Sequence, residues 1–313
     1  MNSVGSLLID ADFAAGTLAD LRVRLERPPV TRLFVGQPPE AVVKTVPYLY
    51  TLCAQAQRAA AQAALAAAAD TAPRTPDHAA LWGEMLHEHL WRLLLDWPLA
   101  LGLPQARDAL VAWRANRAGD GLAAATEKAL ADTLLGVTSA AWQGEPTSAS
   151  LAGRCLTTLG NGEKAHEFDL PPLSPAPWLA YWQGSAPRQP MAARPASVAA
   201  AYRQRLQETV LAARALGAGR PYPLATAGGN GCGIGQTLTA RGVLTHGAML
   251  AEGKVTAYRI WAPTDCHFAD AGDLAALLDG GPWPGVDAAR QAVEKGILAL
   301  DPCLPYELKV SYA

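Results

Sequence analysis

The residues best suited to chemistry in this chain are thiols. Cys53, Cys155, Cys232, Cys266 and Cys303 are scattered along 313 residues with no Cys-x-x-Cys pair. An odd, dispersed set without an export signal argues against a disulfide framework, so each is either an inert packed thiol or a soft metal ligand. Cys53 stands at the start of an alanine-rich helical pattern, where the positive end of a helix dipole is expected to favour a thiolate. Cys303 lies in Asp301-Pro302-Cys303, close to the end of the chain and just beyond a helical pattern. Two such sulfurs from opposite ends of the sequence could share one ion if the fold brings the ends together.

Composition narrows the classes. Half of the residues are apolar and 17% are charged, which predicts a folded chain with a sizeable core. A net charge of −2 gives no electrostatic case for nucleic acid or for an anionic membrane. No signal peptide and no apolar run long enough to cross a bilayer is visible, so a cytoplasmic location is expected.

The elements that must position the thiols are legible in outline. Residues 1–40 read as extended, with alternation in Leu21-Arg22-Val23-Arg24-Leu25 and a short apolar run over 31–35. A long helix is expected from Val42 through Cys53 to about Asp70, and a second over 79–96 that Trp97-Pro98 would stop. Shorter helical patterns cover 105–115 and 121–135. The Pro-rich stretch 171–195 carries Trp178, Tyr181 and Trp182, which suggests a packed crossing segment rather than a linker, and a helix resumes over 197–215. Residues 226–235 read as a glycine-rich loop. Residues 237–246 and 254–261 read as a hairpin with Glu252-Gly253 at a turn, and a final helix spans 286–298. We expect one α+β domain over 1–313, a central helical bundle with small antiparallel β elements from both chain ends.

Four segments carry a family resemblance. Val46-Pro47-Tyr48-Leu49-Tyr50-Thr51-Leu52-Cys53, Ala240-Arg241-Gly242-Val243-Leu244-Thr245-His246, Tyr258-Arg259-Ile260-Trp261-Ala262-Pro263-Thr264 and Asp301-Pro302-Cys303 occur in this order. They resemble the Cys-Gly-x-Cys, Pro-Arg-Gly-x-Leu-x-His, Tyr-Arg-x-x-x-Pro-Thr and Asp-Pro-Cys-x-x-Cys-x-x-His segments of the large subunit of nickel–iron hydrogenases. The departures are as informative. Tyr50 and Tyr306 stand where that family has cysteines, and Gln57 and Lys309 stand where it has histidines. A phenol, with an ordinary pKa near 10, replaces a soft thiolate poorly. With four residues after Lys309, the family's cleavable extension is expected to be absent.

With half of the metal site kept and half removed, the chain is similar to HupK/HoxV-type hydrogenase maturation proteins, degenerate relatives of the large subunit. The resemblance implies a truncated large-subunit-like fold and a non-catalytic scaffold. Such a scaffold would transiently hold the Fe(CN)2(CO) unit, without nickel, and deliver it to an apo large subunit. The implied partners are small carrier chaperones of the iron-assembly machinery (HypC/HypD-like) and the apo hydrogenase large subunit. The alternative is a metal-free assembly chaperone that mimics the large subunit. In the first case Cys53 and Cys303 ligate iron, while Arg241 and Thr264, with the backbone beside Pro263, hydrogen-bond to cyanide.

Other residues invite weaker readings. Cys266, two residues after Thr264, would share its face on a strand, as an auxiliary thiol or as a packed one. Cys232 and Cys155 read as structural. His87 and His89 diverge by roughly 200° on a helix and cannot pair on one ion. His246 and His267 read as satisfied polar residues, and Trp82, Trp91 and Trp97 as core anchors.

Overall fold

In the computed structural model the residues described are 5–117, 119, 121–160, 169–186, 189–190, 194–278 and 281–312. Two sheets and a set of helices make up the chain. The first sheet joins the two ends. Strand β1 (Ser6–Ala14) pairs antiparallel with β2 (Thr17–Glu26) and parallel with β7 (Tyr306–Tyr312), giving the order β2-β1-β7. The period of two in β1 explains its central place. Leu7, Ile9, Ala11 and Phe13 are all buried, and the alternate residues are half-buried. The expected alternation at 21–25 falls inside β2, whereas 31–35 is not extended: Val30–Phe34 forms a 3-10 helix that buries Phe34.

The helix expected from Val42 to Asp70 is broken. α1 (Pro39–Leu49) ends at Tyr50, a 3-10 turn spans Thr51–Cys53, and α2 (Ala54–Ala68) starts immediately after Cys53. Pro47 lacks the N–H that would continue the ladder, and the chain turns within one helical turn of it. α3 (His78–Trp91) begins on an Asp77 cap that accepts from the Ala80 N–H at 2.9 Å. Trp97-Pro98 does not stop it. A π-turn over Arg92–Asp96 carries the helix into α4 (Trp97–Ala100). α5 (Arg107–Ala115) and α6 (Gly121–Ala129) match the expected short helices, and α6 also ends in a π-turn, Leu130–Leu134.

α7 (Leu151–Leu159), α8 (Pro175–Trp182) and α9 (Val198–Gly217) follow. α8 lies within the Pro-rich stretch, of which 187–188 and 191–193 fall outside the described residues. Its Trp178 and Trp182 rings sit 5.1 and 5.3 Å from the Trp261 ring, so the segment packs across the second sheet.

That sheet is an antiparallel meander of β3 (Leu224–Gly229), β4 (Cys232–Thr239), β5 (Gly242–Ala251) and β6 (Lys254–Trp261). The expected loop over 226–235 is therefore a hairpin turning at Asn230-Gly231. The stretch 237–246 is likewise the β4–β5 turn, with Arg241 at its tip. Glu252-Gly253 does make the β5–β6 turn, both residues having positive φ. The alanine tract and the glycines explain one another. α2 lies on β4 so closely that a Cβ on Gly233 would fall 2.2 Å from the Ala64 carbonyl oxygen, and one on Gly235 2.3 Å from that of Ala60.

The chain closes with α10 (Pro263–His267), α11 (Gly272–Leu277) and α12 (Val286–Leu300), then Asp301 and β7. Among the described residues no helix is long and apolar enough to cross a membrane.

Because α2 and β4 touch through backbone, Gly233→Ala is expected to lose about 1–3 kcal/mol of stability in thermal or denaturant unfolding. Gly217→Ala, with open space around its Cβ, should leave the midpoint unchanged or raise it.

Candidate metal-thiolate site

All four motif segments converge on one buried, charged region. Cys53 occupies the N-cap of α2, and its sulfur accepts from Gln57 Nε2 at 3.6 Å. Gln57 is aimed by a chain of bonds. Its Oε1 lies 2.9 Å from His246 Nε2, and His246 Nδ1 lies 2.7 Å from the Tyr258 hydroxyl. Burial holds the imidazole neutral, its pKa pushed down to about 3. An amide oxygen only accepts, so His246 carries its proton on Nε2 and accepts from Tyr258 at Nδ1. Gln57 must then turn its NH2 to Cys53. The residue at the family's histidine position is thus a fixed donor to the thiol, and His246 is a satisfied polar residue as expected.

Cys303 lies beyond α12. Its sulfur accepts from Thr264 Oγ1 at 3.2 Å and from Arg27 Nη2 at 3.3 Å, and its N–H donates to Thr264 Oγ1 at 3.2 Å. The two thiols are electrostatic neighbours. Burial first, then the charge of Cys303 and that of Glu84, push the Cys53 thiol up to about 12. This corrects the expectation of a thiolate at the helix start. α2 does begin at Cys53, but desolvation outweighs the helix dipole, and Cys53 is a neutral thiol at neutral pH. Tyr50, at a family cysteine position, is also near both thiols; burial pushes its phenol up to about 12. Tyr306 and Lys309, at the other lost ligand positions, are exposed on β7.

Arg241 is buried and tethered. Its Nε donates to the Asp301 carbonyl at 3.0 Å and its Nη2 to Glu88 at 2.9 Å, while its buried Nη1 has no partner among the described residues. Asp301 and Glu88 hold this guanidinium charged, offsetting the cost of its burial. Asp301 is 1% exposed and adopts a left-handed conformation at the end of α12. Arg92 Nε and Arg205 Nη2 grip its carboxylate at 2.7 and 3.0 Å. These cations hold it well below the usual carboxylate range although burial opposes them.

Sequence reasoning brought Cys53, Arg241, Pro263, Thr264 and Cys303 to one neighbourhood and missed Arg27, Asp265, Glu88 and Asp301. Arg27, 276 residues from Cys303, carries no local signal; Asp301 had one, inside the Asp-Pro-Cys motif. Cys266 is a second correction. Residues 263–267 form a helix, not a strand, so Cys266 does not share the face of Thr264. It lines a cavity of about 530 Å³ with Arg241, Gly242, Pro263 and Trp178, and neither Cys53 nor Cys303 is on that wall. Cys155 and Cys232 are buried. His87 and His89 do diverge: His87 stacks on Trp113, and His89 lies 3.2 Å from Arg205 Nη1. Trp82 and Trp97 are core anchors, but Trp91 is 37% exposed. Among the described residues no group of three or more His, Cys, Asp and Glu side chains is arranged to hold a metal ion.

The helices, the meander and the thiols at both ends define a fold of the hydrogenase large-subunit type. Solved structures agree. The chain superposes on an NAD+-reducing [NiFe]-hydrogenase with a TM-score of 0.54 at 15% identity, covering 92% of this chain and 93% of that one. It superposes on the Ni-Fe-Se hydrogenase from D. vulgaris Hildenborough with a TM-score of 0.57 at 13% identity, covering 93% and 94%. Within that class the chain belongs to the HupK/HupV family of hydrogenase expression/formation proteins. It is 31% identical to HupV of Azotobacter chroococcum mcd 1 and 31% identical to HupK of Azotobacter vinelandii, with 99% of each chain covered in both pairs. Identity to HupK of Rhizobium leguminosarum bv. viciae is 28%, over 99% of this chain and 97% of that protein. No protein-family model matches.

Two outcomes follow. At pH 8 iodoacetamide should alkylate Cys53 roughly a hundredfold or more slowly than a free thiol, as followed by peptide mass spectrometry. Glu84, which accepts from the Gln55 and Ala56 N–H groups at 2.7 and 3.0 Å, is raised by burial from 4.5 to about 7. The folded state therefore binds a proton that the unfolded state has released, and stability falls as pH rises from about 4.5 to about 7. Glu84→Gln should make that decline shallower by on the order of 1–3 kcal/mol in denaturant titrations. Glu208, also raised to about 7, keeps part of the slope.

Proposed function

We propose that this chain serves hydrogenase formation as a non-catalytic scaffold. It transiently holds Fe(CN)2(CO) between Cys53 and Cys303 and passes it to an apo large subunit, receiving it from small HypC/HypD-like carriers. The observation that carries this reading is the pairing of two thiols in one charged region with guanidinium and hydroxyl donors beside them. A low-spin iron bearing cyanides and carbonyl takes soft sulfur donors, and its cyanide nitrogens accept hydrogen bonds.

The donor set fits that cargo. Among the described residues Arg241 Nη1 is buried without an acceptor, which is costly unless a guest supplies one. Thr264 Oγ1 gives its single proton to the Cys303 sulfur, so it reaches a cyanide only by turning the hydroxyl away from that sulfur. Pro263 starts α10 and lines the cavity together with Arg241. Loading displaces a proton from Cys53, and the cost of creating a buried thiolate weakens the hold. Weak ligation by two sulfurs suits a carrier that must release. Neutral Tyr50 and exposed Tyr306 and Lys309 leave nickel without its soft donors.

One observation favours the metal-free alternative: without a guest, the Cys303 sulfur is already satisfied by Arg27 and Thr264. Iron decides between them. Protein produced together with the iron-assembly machinery and purified anaerobically should carry iron and show infrared bands of metal-bound carbonyl and cyanide. Cys53→Ala with Cys303→Ala should abolish both bands; their persistence would rule out the two thiols as ligands.

A further inference from the structure

Arg27 and Arg241 are built alike. Arg241 is tied through Nε and Nη2 to Asp301 and Glu88, with Nη1 left over. Arg27 lies 2.6 Å from Asp265 through Nε and presents Nη2 to the Cys303 sulfur at 3.3 Å. Asp265 is itself held in place, its other carboxylate oxygen accepting from the Ala262 N–H at 3.2 Å. Each guanidinium thus lies against a carboxylate; Arg27 offers Nη2 to the Cys303 sulfur, and Arg241 keeps a buried Nη1 that has no partner among the described residues. A planar fork of five N–H donors permits this division, and an ammonium does not.

The terminal sheet explains how Arg27 arrives there. Ser6 at the start of β1 pairs with Glu26 at the end of β2, and Leu7 pairs with Tyr306 at the start of β7. The Leu7 N–H also donates to the Pro305 carbonyl at 3.1 Å. Arg27 and Cys303 therefore leave the same end of the sheet, one on either side of β1. The sheet joining the two chain ends sets the distance between a guanidinium and a sulfur.

We propose that Arg27 is a positioning and selectivity residue of the cargo site, the second tethered guanidinium of an anion-accepting pair. The inference rests on the iron-carrying reading above. Iron(II) with two cyanides and one carbonyl is neutral, and two thiolates make its adduct a dianion. Arg241 and Arg27 both bring positive charge to that region, and Arg27 adds a hydrogen bond to a ligating sulfur. A bis-thiolate adduct that is neutral or cationic overall would gain no charge attraction from the pair, so the pair favours an anionic adduct.

The test uses the full chain produced with the iron-assembly machinery, comparing wild type, Arg27→Ala and Arg27→Lys. Arg27→Ala is expected to retain about tenfold less iron per chain, the scale of one lost charge-assisted hydrogen bond. In the fraction that loads, the sulfur freed of its donor gives more electron density to iron, and the carbonyl band moves to lower frequency. Arg27→Lys, which keeps the charge and loses the fork, should recover part of the iron while its band stays shifted. If Arg27→Ala does not fold by its melting curve, the band position in Arg27→Lys decides alone. Wild-type iron content with unshifted bands in the variants overturns the role of Arg27 and leaves the carrier reading standing. Absence of the bands in wild-type protein overturns both.

Discussion

A single buried carboxylate organises the site. Asp301 ends α12 in a left-handed conformation, is almost fully buried, and is gripped by Arg92 from the π-turn after α3 and by Arg205 from α9. Arg241, from the β4–β5 turn, holds its carbonyl. A lone buried charge would be prohibitive, and so would unpaired buried guanidinium groups; together they are stable, and only in this geometry. Asp301 therefore locks the C-terminal segment to three separate parts of the chain and delivers Cys303, two residues later, to the same place each time. The π-turn has a role here as well, since it sets Arg92 within reach while the helix runs on into α4.

Around that lock the site balances donors against burial. Gln57 is aimed at Cys53 through His246 and Tyr258, and Thr264 and Arg27 attend Cys303. Burial, with the neighbouring charges of Cys303 and Glu84, makes the Cys53 thiol a reluctant anion. Tyr50 is a phenol kept neutral by burial, and Tyr306 is exposed on β7.

Local signals in the residues were read correctly where one element decides its own conformation. The alternation of β2, the helical periodicity of α3 and α9, and the Glu252-Gly253 turn all appear where expected. Errors fall where neighbours decide. The glycines at 228–235 look like a loop until α2 is laid on them; they are then the only residues that permit backbone contact between helix and strand. Residues 263–267 follow a strand and read as its continuation, but a proline at the first helical position and the Asp265 carboxylate on the Ala262 N–H start a helix instead.

From the residues alone came the order of the four motif segments, the family they resemble, and the mixed helical and extended character. These depend on residue type and short-range spacing, which a linear string carries in full. The three-dimensional arrangement alone decided that Cys53 is a neutral thiol, that Arg27 touches Cys303 across 276 residues, and that Asp301 is the anchor of three arginines. Burial and long-range charge depend on which distant parts of the chain exclude water together, and no stretch of sequence contains that information by itself.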